Sequence, residues 1–149
     1  MRVLGVDLGL RRLGLALSDP GEVMATPMQS LVVSSVRNAP AAVAKAAREA
    51  EAEAVVVGVP LGLEGEEARA EVRRVERFAT ALRRELGIPV HLVDESFSSR
   101  EAEEVGSGGP GAAGAKRRGS GADSHAVAAA VILQRWLDRP RRPGTGGAA

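Results

Sequence analysis

The chain has 149 residues, a net charge of +1 and no cysteine, which predicts one domain with a single sizeable core and excludes disulfides, thiolate chemistry and cysteine-based zinc sites. The balanced charge excludes a global field for a polyanion, so any basic surface is local. With no Tyr, two Phe and one Trp, an aromatic platform for stacking single-stranded bases is not expected.

No stretch is long and apolar enough to span a membrane, and the amino terminus runs directly into a strand pattern. A cytoplasmic protein with no membrane partner is therefore expected. Only Lys45 and Lys116 of the 20 basic residues are lysine. Arginine's planar fork suits phosphate, although the abundance of Ala, Gly and Arg also fits a GC-rich genome.

Residues 3–6 and 13–17 are apolar runs flanking a short, glycine-containing polar link, the pattern of a β-hairpin. Asp7 closes the first run just before Gly9. A carboxylate is a poor strand former and costly to bury alone. Asp7 is thus either a turn residue bonding its own backbone or a ligand held on a rigid strand end. Residues 24–33 read as a third strand, with Pro27 marking its entry or edge. Asn38 and Pro40 then open a helix to about residue 51, by a cap and a first-turn proline. Its apolar face (Val43, Ala46, Ala47, Ala50) is small, which predicts close packing on a sheet.

The β-branched run 54–60 reads as a central strand covered on both faces by helices. Residues 66–86 form the longest helix, with Ala68, Val72, Val75, Phe78, Leu82 and Leu86 in one buried stripe. Arg69, Arg73 and Arg77 share an outer face, interleaved with Glu66, Glu67, Glu71 and Glu76 as a salt-bridged, solvated surface. Residues 90–95 are the next strand, and Ser98-Ser-Arg-Glu101 fits a capping box opening a short helix to about residue 105. Residues 106–122 read as a mobile, basic loop. A densely apolar helix follows over 122–138, and the tail 139–149 is expected to be disordered.

Antiparallel strands followed by βαβ units give an α/β fold, a mixed sheet with helices on it. Ligands in such sheets collect beyond the carboxyl ends of the parallel strands. Three acidic points fall there: Asp7, Asp94/Glu95 and Asp123. Strand alternation sends Asp94 and Glu95 to opposite faces, so one of them at most faces Asp7. Converging carboxylates repel and need a cation, and oxygen ligands suit Mg²⁺ or Mn²⁺. Such ions can activate a water on a phosphodiester. On local sequence alone, Asp123 reads first as an ordinary helix N-cap.

Asp7-Leu-Gly9-x-x-Arg12-Leu-Gly14-x-Ala16-x-Ser18-Asp19 resembles the opening motif of the YqgF-like (RuvX) family. Ala25-Thr-Pro27, Gly58-Val-Pro60-Leu61-x-x-Glu64-Gly65, Val93-Asp-Glu95 with Phe97-Ser-Ser99, and Ile132-Leu-Gln134-x-x-Leu137 continue the match in order. The resemblance covers residues 1–138 apart from the 106–122 loop. It implies an RNase H-like nuclease domain over 1–138, with antiparallel first strands and parallel later ones. The implied function is a metal-dependent pre-16S rRNA nuclease acting in ribosome biogenesis, with precursor rRNA and ribosomal particles as partners. The alternatives are a Holliday junction resolvase acting on branched DNA and a catalytically inactive nucleic-acid-binding module. No sequence feature speaks to the oligomeric state.

The resemblance further implies a catalytic metal site at Asp7, Glu95 and an acid on the final helix. Counting back from Ile132-Leu-Gln134, that acidic slot falls on His125. Asp123 is nevertheless the expected third ligand and His125 its rival. Two helical steps are about 200° apart, so both face one ion only if Asp123 precedes the helix proper. The family's Asp-Glu-Arg is Asp94-Glu95-Ser96 here, and Arg100 in the next helical turn is the candidate replacement for the lost arginine. Arg12 in the opening motif and the basic segment Lys116, Arg117 and Arg118 complete the candidate substrate-binding set, the segment through sequence-independent backbone contacts.

Overall fold

The structure, a computed structural model, describes residues 1–60, 62, 64–95 and 124–140. Strand β1 (Val3–Leu8) turns into β2 (Arg12–Ser18), antiparallel, with Asp7 opposite Gly14 and Leu8 opposite Leu13. The single third strand expected over 24–33 is instead two short ones, β3 (Ala25–Pro27) and β4 (Leu31–Val32), both antiparallel to β2. Pro27 has no N–H to offer a ladder, and β3 ends on it.

A 3-10 turn (Val36–Asn38) leads into α1 (Ala39–Glu49), with Pro40 in its first turn as expected. Asn38 holds the N-cap position, but its side chain does not cap: its backbone is already helical, and its amide donates to Ser34 Oγ at 2.6 Å. Strand β5 (Ala54–Val59) is buried at all six positions and runs parallel to β1. Helix α2 (Glu66–Leu86) follows, then β6 (Val90–Asp94), parallel to β5. Helix α3 (Ser124–Leu137) completes the described elements.

The strand order is β3-β2-β1-β5-β6, with β4 on β2. The sheet is therefore mixed, antiparallel on one side of β1 and parallel on the other, as the sequence predicts.

Alternation along the strands sorts the core into two layers. Leu4, Val6, Leu13, Leu15, Val55 and Val57 face α1 and α2, where Val43, Ala47, Val75, Phe78 and Leu82 meet them. Val3, Ala16, Ala54 and Val56 face α3, against Ala129, Ile132, Leu133 and Trp136. Trp136 closes this second layer at the start of β6. His91 stacks on its ring at 5.2 Å between centroids, and the Arg139 guanidinium lies 3.5 Å above the ring centroid. No described helix is long and apolar enough to cross a membrane.

Candidate active site

Asp7 follows Val3 and Gly5 in the alternation and so emerges on the α3 face, at the carboxyl end of β1. On β6, His91 and Val93 share that face. Glu95, one step beyond Asp94, is the next residue of that set, and it settles the choice between the two acids. A side chain on Gly58 would place its Cβ 3.0 Å from Glu95 Cβ and 2.6 Å from Ile132 Cδ1. The missing Cβ leaves room for both Glu95 and α3. Gly14, opposite Asp7, does the same for the start of α3: a Cβ there would collide with the His125 carbonyl. Because that contact is backbone on backbone, α3 can start directly over Asp7.

His125 Nδ1 consequently lies 3.5 Å from Asp7 Oδ2. The structure thus brings the rival third residue to Asp7. Asp123 lies outside the described residues, as do Arg100, Lys116, Arg117 and Arg118. Arg12 begins β2 at the same end of the sheet, exposed and paired in register with Val32.

Burial pushes the Asp7 carboxyl above its usual range; the charge and hydrogen bond of His125 pull the other way, and Glu71 adds to the rise. Glu95 is pushed up to about 7, first by burial, then by the charges of Asp7 and Glu71. Both anions are thus disfavoured where they stand, and each is part of what a cation would relieve. Among the described residues, no group of three or more carboxylate or histidine side chains converges closely enough to hold an ion by itself.

Glu71 belongs to this end of the molecule, not to the solvated face where its position on α2 put it. Its carboxylate pairs with Arg74, whose guanidinium also donates to Leu8 O at 3.0 Å and Gly9 O at 3.2 Å. The available signal was spacing: Arg74 lies beside Val75 at the margin of the buried stripe, and Glu71 is three residues before it. By contrast, Glu66 pairs with Arg69 and Arg73 in solvent, as expected of that face.

Other motif residues are structural. Asp19 accepts hydrogen bonds from the N–H groups of Gly21, Val23 and Met24, and those bonds hold its carboxyl below the usual range. Ser18 Oγ accepts from Val3 N at 2.8 Å, tying the two ends of the hairpin together. Gln134 accepts from Ala25 N and donates to Val23 O, pinning α3 to the edge of the sheet.

The mixed sheet with α3 laid across one face is an RNase H-like fold. Thermus thermophilus RuvC, solved in complex with a Holliday junction substrate, matches it with a TM-score of 0.62 at 23% identity, over 92% of this chain and 93% of that one. The resolvase of fowlpox virus, solved with Holliday junction DNA, matches with a TM-score of 0.54 at 10% identity, over 93% and 97% of the two chains.

The sequence profile of RuvX, described as Holliday junction resolvase, matches residues 1–139. A protein of Anaeromyxobacter dehalogenans named "Putative pre-16S rRNA nuclease" is 42% identical over 93% of this chain and 98% of its own. One of the same name from Synechococcus elongatus is 34% identical over 94% and 91%. The chain belongs to the RuvX (YqgF) family.

Proposed function

We propose that the protein is a divalent-cation-dependent nuclease that hydrolyses phosphodiester bonds in RNA and trims an end of precursor 16S rRNA. The observation that carries this reading is the pair Asp7 and Glu95. They stand at the carboxyl ends of β1 and β6 on one face; burial raises both carboxyls, and the charge of Asp7 raises that of Glu95 further. Two hard oxygen donors destabilised as anions fit Mg²⁺ or Mn²⁺. Asp7 and Glu95 would hold the ion, with Asp123 as the expected third donor. When bound, such an ion supplies an activated water and charge for the leaving oxygen.

The chain's own groups supply the rest. Asp7 faces His125 Nδ1 and orients the imidazole, so the other ring nitrogen is the one that can take or give a proton. Arg12, together with Arg100, Lys116, Arg117 and Arg118, would bind the phosphate backbone without reading sequence. The names carried by the relatives support RNA, and precursor rRNA on ribosomal particles would place the protein in the cytoplasm.

The test compares the wild type with Asp7→Asn, Glu95→Gln, Asp123→Asn and His125→Ala on precursor 16S ends and on four-way DNA junctions, in Mg²⁺ and in Mn²⁺. Asp7→Asn and Glu95→Gln are expected to lose at least about a hundredfold to a thousandfold in cleavage, the range seen when charge-stabilising groups are removed. Cleavage of junctions in place of rRNA would transfer the reading to recombination. Binding without cleavage by the wild type would make the protein a nucleic-acid-binding module. Loss in His125→Ala but not in Asp123→Asn would give His125 the third position.

A further inference from the structure

The end of β1 is held from the opposite face of the sheet. The last register pair between β1 and β5 is Val6 with Val57, so Asp7, Leu8 and Gly9 extend beyond that ladder. Arg74 reaches across from α2 to this extension. Its Nη2 donates to Leu8 O at 3.0 Å and its Nη1 to Gly9 O at 3.2 Å. Its Nε donates to Glu71 Oε1 at 3.0 Å, and Nη2 contacts Glu71 Oε2 at 2.5 Å. All three guanidinium nitrogens are therefore engaged, and the side chain is 19% exposed.

We propose that Arg74, aligned by Glu71, is a positioning residue for the catalytic centre: it clamps the two carbonyls that follow Asp7 and thereby fixes the aim of the Asp7 carboxylate. The proposal rests on the nuclease reading. A planar fork with fixed donors suits this task, because one rigid group sets two adjacent peptide units against a helix. The alternative role, a bidentate phosphate contact, needs a pair of free donors, whereas four of the five N–H groups are spent on Glu71 and the two carbonyls and one on Nη1 is left. A purely electrostatic role fails as well. Glu71 raises the carboxyls of Asp7 and Glu95 while Arg74 lowers them, so the pair opposes itself at both acids. What remains is mechanical. Misplacing a reacting group by about 1 Å costs on the order of a hundredfold in rate.

The experiment measures kcat and KM on precursor rRNA and amide hydrogen exchange of residues 8–12 for the wild type, Arg74→Ala and Arg74→Lys. Arg74→Ala is expected to lower kcat by about tenfold to a hundredfold with KM changed less than about twofold. Exchange at residues 8–12 should accelerate, and added guanidinium ion should restore part of kcat. Arg74→Lys, with one ammonium for two carbonyls, should fall between the two and serves if the alanine variant folds poorly. An unchanged kcat, a loss confined to KM, or wild-type exchange at residues 8–12 in both variants would overturn the proposal. Should the wild type cleave neither rRNA nor junctions, the nuclease reading fails separately, and the exchange comparison alone decides whether Arg74 is the clamp.

Discussion

The two faces of the sheet are packed to different rules. Toward α1 and α2 the strands present leucines and valines, and the helices answer with Val43, Val75, Phe78 and Leu82, all buried. Toward α3 they present small residues at the points of contact, Gly14 beneath the start of the helix and Gly58 beneath Ile132. The first arrangement removes apolar surface from water and gives the fold its stability. The second gives up side-chain volume so that a helix can come close enough to place His125 over Asp7. Asp7, Glu95 and His125 belong to the second face, and among the described residues the Glu71–Arg74 pair reaches them from the first. Stability and placement are thus largely assigned to opposite sides of one sheet.

Gly14→Ala is the most direct way to break that division. Its Cβ would meet backbone, the His125 carbonyl, so the start of α3 must move away from Asp7. Cleavage is expected to fall by about a hundredfold, with a loss of the Asp7–His125 contact visible in the imidazole resonances. Leu82→Ala on the other face should do the reverse. Leu82 is fully buried between α2 and the sheet, and truncating a buried leucine costs about 2–5 kcal/mol. Denaturant titration should register that loss, while kcat at temperatures well below the melting point stays at the wild-type value. Equal losses of kcat in the two variants would show that the faces are not separable.

The stabilising face was the legible one. Periodicity placed α2 at residues 66–86 and β5 over 54–60, one residue beyond its end at Val59, because each must bury a regular stripe or a continuous run. The placing face was legible only in part. Asp7 follows from a strand end, and alternation reduces Asp94 and Glu95 to one, since period-two geometry is fixed locally; choosing Glu95 took the family resemblance. His125 depends on where α3 begins in space, and that is set by the missing Cβ of Gly14 more than a hundred residues earlier. Glu71 was legible only faintly, for a similar reason. On α2 it resembles Glu66 and Glu76, and its spacing to Arg74 beside Val75 gains meaning from the approach of α2 to the β1 extension. The split of the third strand into β3 and β4 follows from Pro27, whose missing N–H interrupts a largely apolar run.

A smaller effect sharpens the electrostatic side of the contrast. The Glu95 carboxyl rises from an ordinary 4.5 to about 7 in the fold. Its protonated form is favoured there, so its contribution to stability is complete below about pH 4.5 and is lost as pH rises through 7. Without divalent cations the melting temperature should therefore decline between about pH 5 and pH 8, and Mn²⁺ should restore it at the upper end. Affinity for Mn²⁺ should rise across the same window, because the ion must displace a proton from Glu95. The charge of Asp7 is one cause of the rise, so in Asp7→Asn the Glu95 carboxyl should titrate below 7, as NMR of the side-chain carbonyl would record. An unchanged titration would mean that the two acids do not share a site.

The smallest effect comes from two pairs with the same spacing on the same helix. Glu66–Arg69 and Glu71–Arg74 are both three residues apart on α2. The first is held at 3.9 Å with side chains 78% and 65% exposed, where ordering two long side chains offsets a screened attraction. The second is more buried and, through Arg74, is bonded to the β1 extension. Glu66→Ala should shift stability by less than about 0.5 kcal/mol and leave kcat and the exchange of residues 8–12 unchanged. Glu71→Ala, which removes the same carboxylate one and a half turns later, should loosen those residues by releasing Arg74. Sequence spacing makes the two glutamates equivalent, so any difference between the variants measures what docking against the end of β1 adds. If Glu66→Ala disturbed residues 8–12 as much as Glu71→Ala, the effect would belong to the helix as a whole and not to the clamp.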